Sequence, residues 1–213
     1  DGIAIVDGYG MSEAGTVFGM PLDQQTIARK AGCVGTPTPK VKARVVDDLG
    51  RPVADGIAGE LQLRGDNVCG GYWRREEDYK AALTDDGWFR TGDIVTRDKD
   101  GYYRVTDRKK DMYISGGENV YPAEVEAMLV QYPGIRELAV VGVPDEKWGE
   151  VGCLFYVTEG HDISIEEISE FLTSRLARYK IPKRTHAVKT LPRNSVGKLL
   201  KQELRRAYAE CTP

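Results

Sequence analysis

A run of five charged residues, Asp107-Arg108-Lys109-Lys110-Asp111, divides the chain into two stretches of different texture. Before it, short apolar and polar alternations recur between Gly- and Asp-containing turns. Residues 41–46 and 60–64 alternate as half-buried strands do, and Asp47-Asp48-Leu49-Gly50 reads as a hairpin turn. Residues 87–96 and 102–106 flank a second turn signal, Asp98-Lys99-Asp100-Gly101. Short strands joined by such turns predict a small sheet or barrel. After the charged run, helices enter. Pro122 suits a first helical position and predicts a helix to about residue 131, before Pro133-Gly134. Residues 138–143 and 152–157 read as buried strands. Ser164-Ile165-Glu166-Glu167 is a capping box that opens a helix to about residue 177, and 198–209 forms a last helix. The expected fold class is α+β: a β-barrel-like part, the charged joint, then a compact α+β domain around a small central sheet.

At 213 residues there is room for one large domain or two small ones, each with its own core. An apolar fraction of 41% and a charged fraction of 30% fit a globular protein. No run approaches the roughly 18 apolar residues of a membrane span, so no transmembrane segment is expected. The start, Asp-Gly-Ile-Ala-Ile-Val, lacks the basic flank and apolar length of a signal peptide and reads as a strand of a longer chain. Cys33, Cys69, Cys153 and Cys211 have no metal-ligand spacing and are expected as reduced thiols in the cytoplasm. His161 and His186 stand alone, and neither is expected to ligate metal. Charge is uneven. From Arg175 onward there are 11 Lys or Arg against two acids, Glu203 and Glu210. This points to an anionic partner, although for any single cation solvation of a helix face is the more common reason. The segment has little aromatic interleaving and no nucleic-acid motif, so no nucleic-acid partner is expected.

Three segments concentrate chemistry. In Gly8-Tyr9-Gly10-Met11-Ser12-Glu13 the glycines let backbone approach a flat ligand, and a hydroxyl beside a carboxylate serves phosphate oxygens and Mg²⁺; a plain turn has the same appearance. In Arg90-Thr91-Gly92-Asp93 a carboxylate beside Gly can accept both hydroxyls of a ribose. In Pro192-Arg193-Asn194-Ser195-Val196-Gly197-Lys198 a shaped loop holds one Lys at its tip, suited to charge developing on a transferring group or simply to solvent.

In this order the segments resemble the adenylate-forming superfamily: acyl-CoA synthetases, peptide-synthetase adenylation domains and firefly-type luciferases. The resemblance covers nearly all the chain. The family's Tyr-Gly-x-Thr/Ser-Glu is matched by Tyr9, Gly10, Ser12 and Glu13, and its Thr-Gly-Asp by Thr91, Gly92 and Asp93. The joint motif is matched by Asp107 to Asp111, followed by a Gly-rich loop from Ser115 to Glu126. Pro-x-x-x-x-Gly-Lys ends at Lys198. The resemblance implies that residues 1–109 end a large N-terminal domain, including its β-barrel part. Residues 111–213 are then a small mobile domain with its hinge at Lys110.

The resemblance further implies that a carboxylic acid attacks ATP to give an acyl-adenylate, and that coenzyme A then takes the acyl group. Lys198 would neutralise charge on the phosphates, Glu13 would hold Mg²⁺, and Ser12 would lie near the phosphates. Tyr9 would lie on the adenine, Asp93 would hold the ribose diol, and Arg108 would contact ribose and phosphate. After adenylation the small domain would swing, bringing Gly116 and Gly117 to the thiol channel, where the missing Cβ atoms let the pantetheine arm pass. The basic tail would suit the phosphates of coenzyme A. The loop around Gly116 resembles acyl-CoA synthetases more than the other branches, with fatty or aromatic acids as common substrates. Residues 16–20 are expected along the acyl pocket. The family's Ser/Thr/Gly-rich phosphate loop does not occur in the sequence, so the chain is expected to be the back part of such an enzyme and inactive alone. A non-catalytic binding module, a peptide-synthetase domain and a luciferase-like oxygenase remain alternatives.

Overall fold

The computed structural model describes residues 3–158, 160 and 162–211; the expectation for His161 therefore lies outside the described residues. The chain divides into two compact units, Asp1–Lys109 and Lys110–Pro213.

In the first unit, β1 (Tyr9–Met11), β2 (Gly15–Gly19) and β3 (Thr36–Pro37) form a three-stranded sheet, with α1 (Gln24–Arg29) between β2 and β3. A four-stranded antiparallel sheet follows in sequence order: β4 (Val41–Val46), β5 (Gly59–Gly65), β6 (Phe89–Arg97) and β7 (Tyr103–Arg108). The helix α2 (Glu76–Ala82) interrupts it between β5 and β6. Both sheets are open, which corrects the barrel expectation. Four strands are too few to close around a core of side chains. Val17 and Phe18 of β2 and the neighbouring Ala14 cover the apolar face instead, packing with Val41, Val45, Leu61, Leu63, Val95 and Tyr103. The Asp47–Gly50 turn forms, with the Asp47 carboxylate accepting the N–H groups of Leu49 and Arg51. It does not lead straight into the next strand, because the chain runs on to Gly59.

The second unit begins with a hairpin, β8 (Tyr113–Ser115) and β9 (Glu118–Val120). Then come α3 (Pro122–Leu129), β10 (Ile135–Asp145), β11 (Gly149–Thr158), α4 (Ile165–Thr173), β12 (Arg184–Ala187) and α5 (Lys201–Cys211). The sheet runs β10-β11-β8-β9, with β12 parallel to β11. Its long strands are apolar without alternation because both faces are covered. Val140, Leu154 and Tyr156 face Val125 and Leu129 of α3 and Ile168 and Leu172 of α4. Ala139, Val141, Val143, Cys153 and Phe155 face Leu204 of α5. The Ser164–Glu167 capping box is present, with Ser164 accepting the Glu167 N–H and Glu167 accepting the Ser164 N–H. The last helix starts at Lys201, three residues later than the sequence predicts, because 198–200 belong to the preceding loop.

Five of the eleven cations from Arg175 onward pair with acids of their own unit. Lys180 pairs with Glu124, Arg184 with Asp145, Arg193 with Glu137, Lys201 with Glu126 and Arg205 with Asp111. The charge asymmetry along the sequence is thus a pattern of folding contacts for these five cations.

Candidate functional site

The Thr91-Gly92-Asp93 segment is built by a bulge. Glu60 of β5 faces Ile94 and Gln62 faces Arg90, so three residues of β6 stand opposite the single Leu61. Gly92 takes φ +69°, a left-handed conformation that a side chain would strain. The Thr91 hydroxyl replaces the interrupted ladder: it donates to the Leu61 carbonyl at 2.8 Å and accepts the Asp93 N–H at 3.1 Å. The bulge turns the Asp93 carboxylate into the unit, where the residue is 2% exposed.

An ionised carboxylate that deeply buried needs donors. Tyr9 donates its hydroxyl to Oδ2 at 2.5 Å, and Arg108, its partner in strand register on β7, pairs through Nε with Oδ1 at 2.5 Å. One bond on each oxygen leaves each a further acceptor position. The Tyr9 ring lies 5.6 Å from Phe18, which stacks on Tyr103 at 4.3 Å. Burial, and then the bond to Asp93, push the Tyr9 hydroxyl well above its ordinary pKa, so it stays a donor. The Arg108 side chain is 47% exposed, so this ion pair opens to solvent on the arginine side.

Ser12 and Glu13 occupy the turn between β1 and β2, closed by the Ala14 N–H to the Met11 carbonyl. Ser12 is exposed and Glu13 half-buried. Tyr72 donates its hydroxyl to Glu13 Oε1 at 2.9 Å. The close approach at Gly10 is to protein: a Cβ there would lie 2.6 Å from the Gly15 carbonyl oxygen, so strand pairing demands this glycine. Residues 16–19 form most of β2, with Val17 and Phe18 fully buried in the core and Thr16 and Met20 reaching the surface.

In the second unit, Gly116 and Gly117 are the two central residues of the β8–β9 turn, with φ of +61° and +88°. Positive φ at both positions is the hairpin turn whose twist matches the strands. A Cβ on Gly116 would sit 2.7 Å from the Trp148 ring, whereas none would obstruct at Gly117. The Gly116 N–H donates to the Trp148 carbonyl at 2.9 Å. Beside this contact lies a cleft of about 470 Å³ lined by Ser115, Trp148, Arg178, Tyr179 and Lys183. The sequence reading reached Ser115 as part of the Gly-rich loop and Arg178 and Lys183 as part of the basic tail, but missed Trp148 and Tyr179. Their signal was present as Arg178-Tyr179-Lys180 and the Asp145-to-Gly149 turn, where aromatic and cationic side chains alternate.

Lys198 is exposed at the end of a rigid loop. The Asn194 carboxamide oxygen accepts the N–H groups of Val196 and Lys198, Arg193 donates to the Gly197 carbonyl, and Arg193 bridges Leu199. Lys110 is exposed and opens the second unit; Lys109 before it is fastened to Asp48 at 3.0 Å and Glu60 at 3.1 Å.

Comparison with known proteins matches residues 1–73 to the AMP-binding enzyme family and residues 124–198 to the AMP-binding enzyme C-terminal domain. The chain belongs to the adenylate-forming AMP-binding enzymes. It is 47% identical over 208 residues to a feruloyl-CoA synthase of Amycolatopsis, a match covering 97% of this chain and 42% of that protein. It is 42% identical over 211 residues to the long-chain-fatty-acid–CoA ligase FadD13 of Mycobacterium tuberculosis, covering 99% and 41%. The structure of ATP-bound MatB from Rhodopseudomonas palustris matches with a TM-score of 0.89 and 37% identity, over 99% of this chain and 42% of that one. The chain thus spans about two fifths of the length of these AMP-binding relatives.

Proposed function

We propose that this chain is part of an acid–thiol ligase that activates a carboxylic acid with ATP as an acyl-adenylate and transfers the acyl group to coenzyme A. The observation that carries this reading is the buried Asp93 carboxylate, aimed by the Thr91–Gly92 bulge and holding an open acceptor position on each oxygen. A vicinal diol supplies two hydroxyl donors at matching separation, and a ribose is such a diol. On this reading the ribose hydroxyls donate to the open positions on Oδ1 and Oδ2, and the Arg108 guanidinium directs its remaining N–H groups to the phosphate side of the nucleotide. Tyr9 stays bonded to Asp93, and its ring is proposed to lie on the base.

Glu13 is the candidate ligand for Mg²⁺. Among the described residues no three His, Cys, Asp or Glu cluster as a metal cage. A single carboxylate nevertheless fits an ion held mainly by substrate phosphates and water. When bound, Mg²⁺ would offset charge on the phosphates. Lys198 is the proposed second cation there, its loop stiff in the main chain and its ammonium free to reach. Catalysis then rests on positioning and charge complementarity.

For thioester formation, the cleft beside Gly116 is the proposed dock for the nucleotide end of coenzyme A. Trp148 and Tyr179 offer faces for a base, and Arg178 and Lys183 offer charge for phosphates. Residues 1–109 serve as the end of the larger nucleotide-binding domain, 111–213 as the small domain, and Lys110 as its hinge. The acid is proposed to be an aromatic or fatty one, as the names of the relatives suggest. The free thiols of Cys33, Cys69 and Cys153 favour the cytoplasm.

The test is ATP–pyrophosphate exchange in the intact protein. Lys198→Ala should abolish exchange yet keep thioester formation from supplied acyl-adenylate. Undiminished exchange would overturn the assignment of Lys198. Asp93→Asn should raise the KM for ATP by about ten- to a hundredfold, as expected for losing hydrogen bonds to a charged acceptor.

A further inference from the structure

Three bonds from one loop converge on the turn that carries Glu13. Asn67 Nδ2 donates to the Ala14 carbonyl at 2.6 Å, and the Cys69 N–H donates to the Glu13 carbonyl at 2.6 Å. The third, from Tyr72, reaches the carboxylate itself at Oε1, 2.9 Å away. The first two already tie the main chain of the turn, so holding the turn in place does not require Tyr72. Among the described residues no bond is made to Oε2.

We propose that Tyr72 is a positioning residue: its hydroxyl fixes one oxygen of Glu13 so that the other is held ready for the divalent cation that accompanies the nucleotide. This rests on the reading of Glu13 as the cation's ligand. Carboxylates that bind metal are usually oriented by a donor on the oxygen that does not, and that donor restricts side-chain rotation before the ion arrives. The neighbourhood of Tyr72 is rigid enough to serve. Its ring meets Tyr79 edge-on at 5.6 Å, Tyr79 leans on Phe89 at 6.1 Å, and the Tyr79 hydroxyl donates to the Cys69 carbonyl. Tyr79 therefore braces both the ring of Tyr72 and Cys69, the residue whose N–H holds the Glu13 carbonyl.

The test is a titration of Mn²⁺ in the presence of saturating ATP without acid, read by electron paramagnetic resonance on the intact protein. Tyr72→Phe keeps the ring and removes the donor; it should weaken Mn²⁺ binding about tenfold, in the range seen for outer-shell partners. Glu13→Gln should weaken it at least as much, and adding Tyr72→Phe to Glu13→Gln should cost nothing more, because Tyr72 acts through Glu13. Glu13→Asp, which draws the carboxylate back by one methylene and leaves the aromatic packing untouched, should also be insensitive to Tyr72→Phe. Wild-type affinity in Tyr72→Phe while Glu13→Gln binds weakly would overturn the positioning role alone. Multiplying effects in the double variant would overturn it too. If neither single variant weakens Mn²⁺, the metal reading of Glu13 falls with it.

Discussion

An alanine at position 116 would place its Cβ 2.7 Å from Trp148 Cε3 and 3.0 Å from Cζ3, closer than carbon atoms approach without displacement. Alanine at position 117 meets nothing within 4 Å. The backbone cost is shared, since both residues are left-handed, and amounts to about 1–2 kcal/mol for a residue with a Cβ. Trp148 is 41% exposed, so its ring can swing aside and the clash adds little to the stability loss. Urea unfolding should therefore show both variants destabilised by similar amounts of about 1–2 kcal/mol. Function should separate them. Base stacking on an aromatic ring contributes about 1–3 kcal/mol, so displacing Trp148 should raise the KM for coenzyme A about tenfold. Gly116→Ala should show that rise in a thioester assay started from acyl-adenylate, together with altered tryptophan emission. Gly117→Ala should show neither, and Trp148→Ala should reproduce the KM of Gly116→Ala. Equal KM values in Gly116→Ala and Gly117→Ala would refute the reasoning, because the ring contact is what distinguishes the two positions.

Other outcomes follow from the same geometry. Thr91→Val should cost about 1–3 kcal/mol in chemical unfolding, because it leaves the Leu61 carbonyl and Asp93 N–H without their hydroxyl partner in a buried strand. Gly92→Ala has open space for its Cβ and should cost only the backbone term, about 1–2 kcal/mol. Both units should lose stability in base. Burial holds the Cys153 thiol up to about 12 from an ordinary 9.0, and it raises Tyr9 and Tyr113 as well. The unfolded chain releases these protons first, so stability present below pH 9 is lost progressively as pH rises toward 12. Circular dichroism across that window measures it, and a flat profile would contradict the burial of Cys153.

Much of this architecture could be read in the residues because its causes are local. Alternation at 41–46, the Ser164–Glu167 box and the unbroken apolar run at 138–143 each announce an element whose pattern follows from burial on one face or two. Short elements escaped. The six-residue α1 and seven-residue α2 span too few turns for a helical period to emerge, and the two-residue β3 carries no alternation at all. The open sheet was not legible either, since strand patterns report which face is buried and not whether the first and last strands meet. At the site, the glycines have neighbours that no spacing along the chain announces. Gly10 and Gly116 were read as making room for ligands, and the space that a Cβ would need at each is taken by the Gly15 carbonyl and the Trp148 ring. Asp93, Tyr9 and Arg108 were named from a motif resemblance, but their mutual bonding depends on strand register and a bulge, which no spacing along the chain reveals.

The loop that ends at Lys198 separates shape from reactivity. Its form is set by the Asn194 carboxamide, the Arg193 guanidinium and a left-handed Gly197, none of which involves the lysine side chain. A single codon change at position 198 can therefore alter what the tip does without remodelling how it is held. Such a loop is an inheritable mount, on which selection can exchange one working group for another while every neighbouring sequence constraint stays as it was.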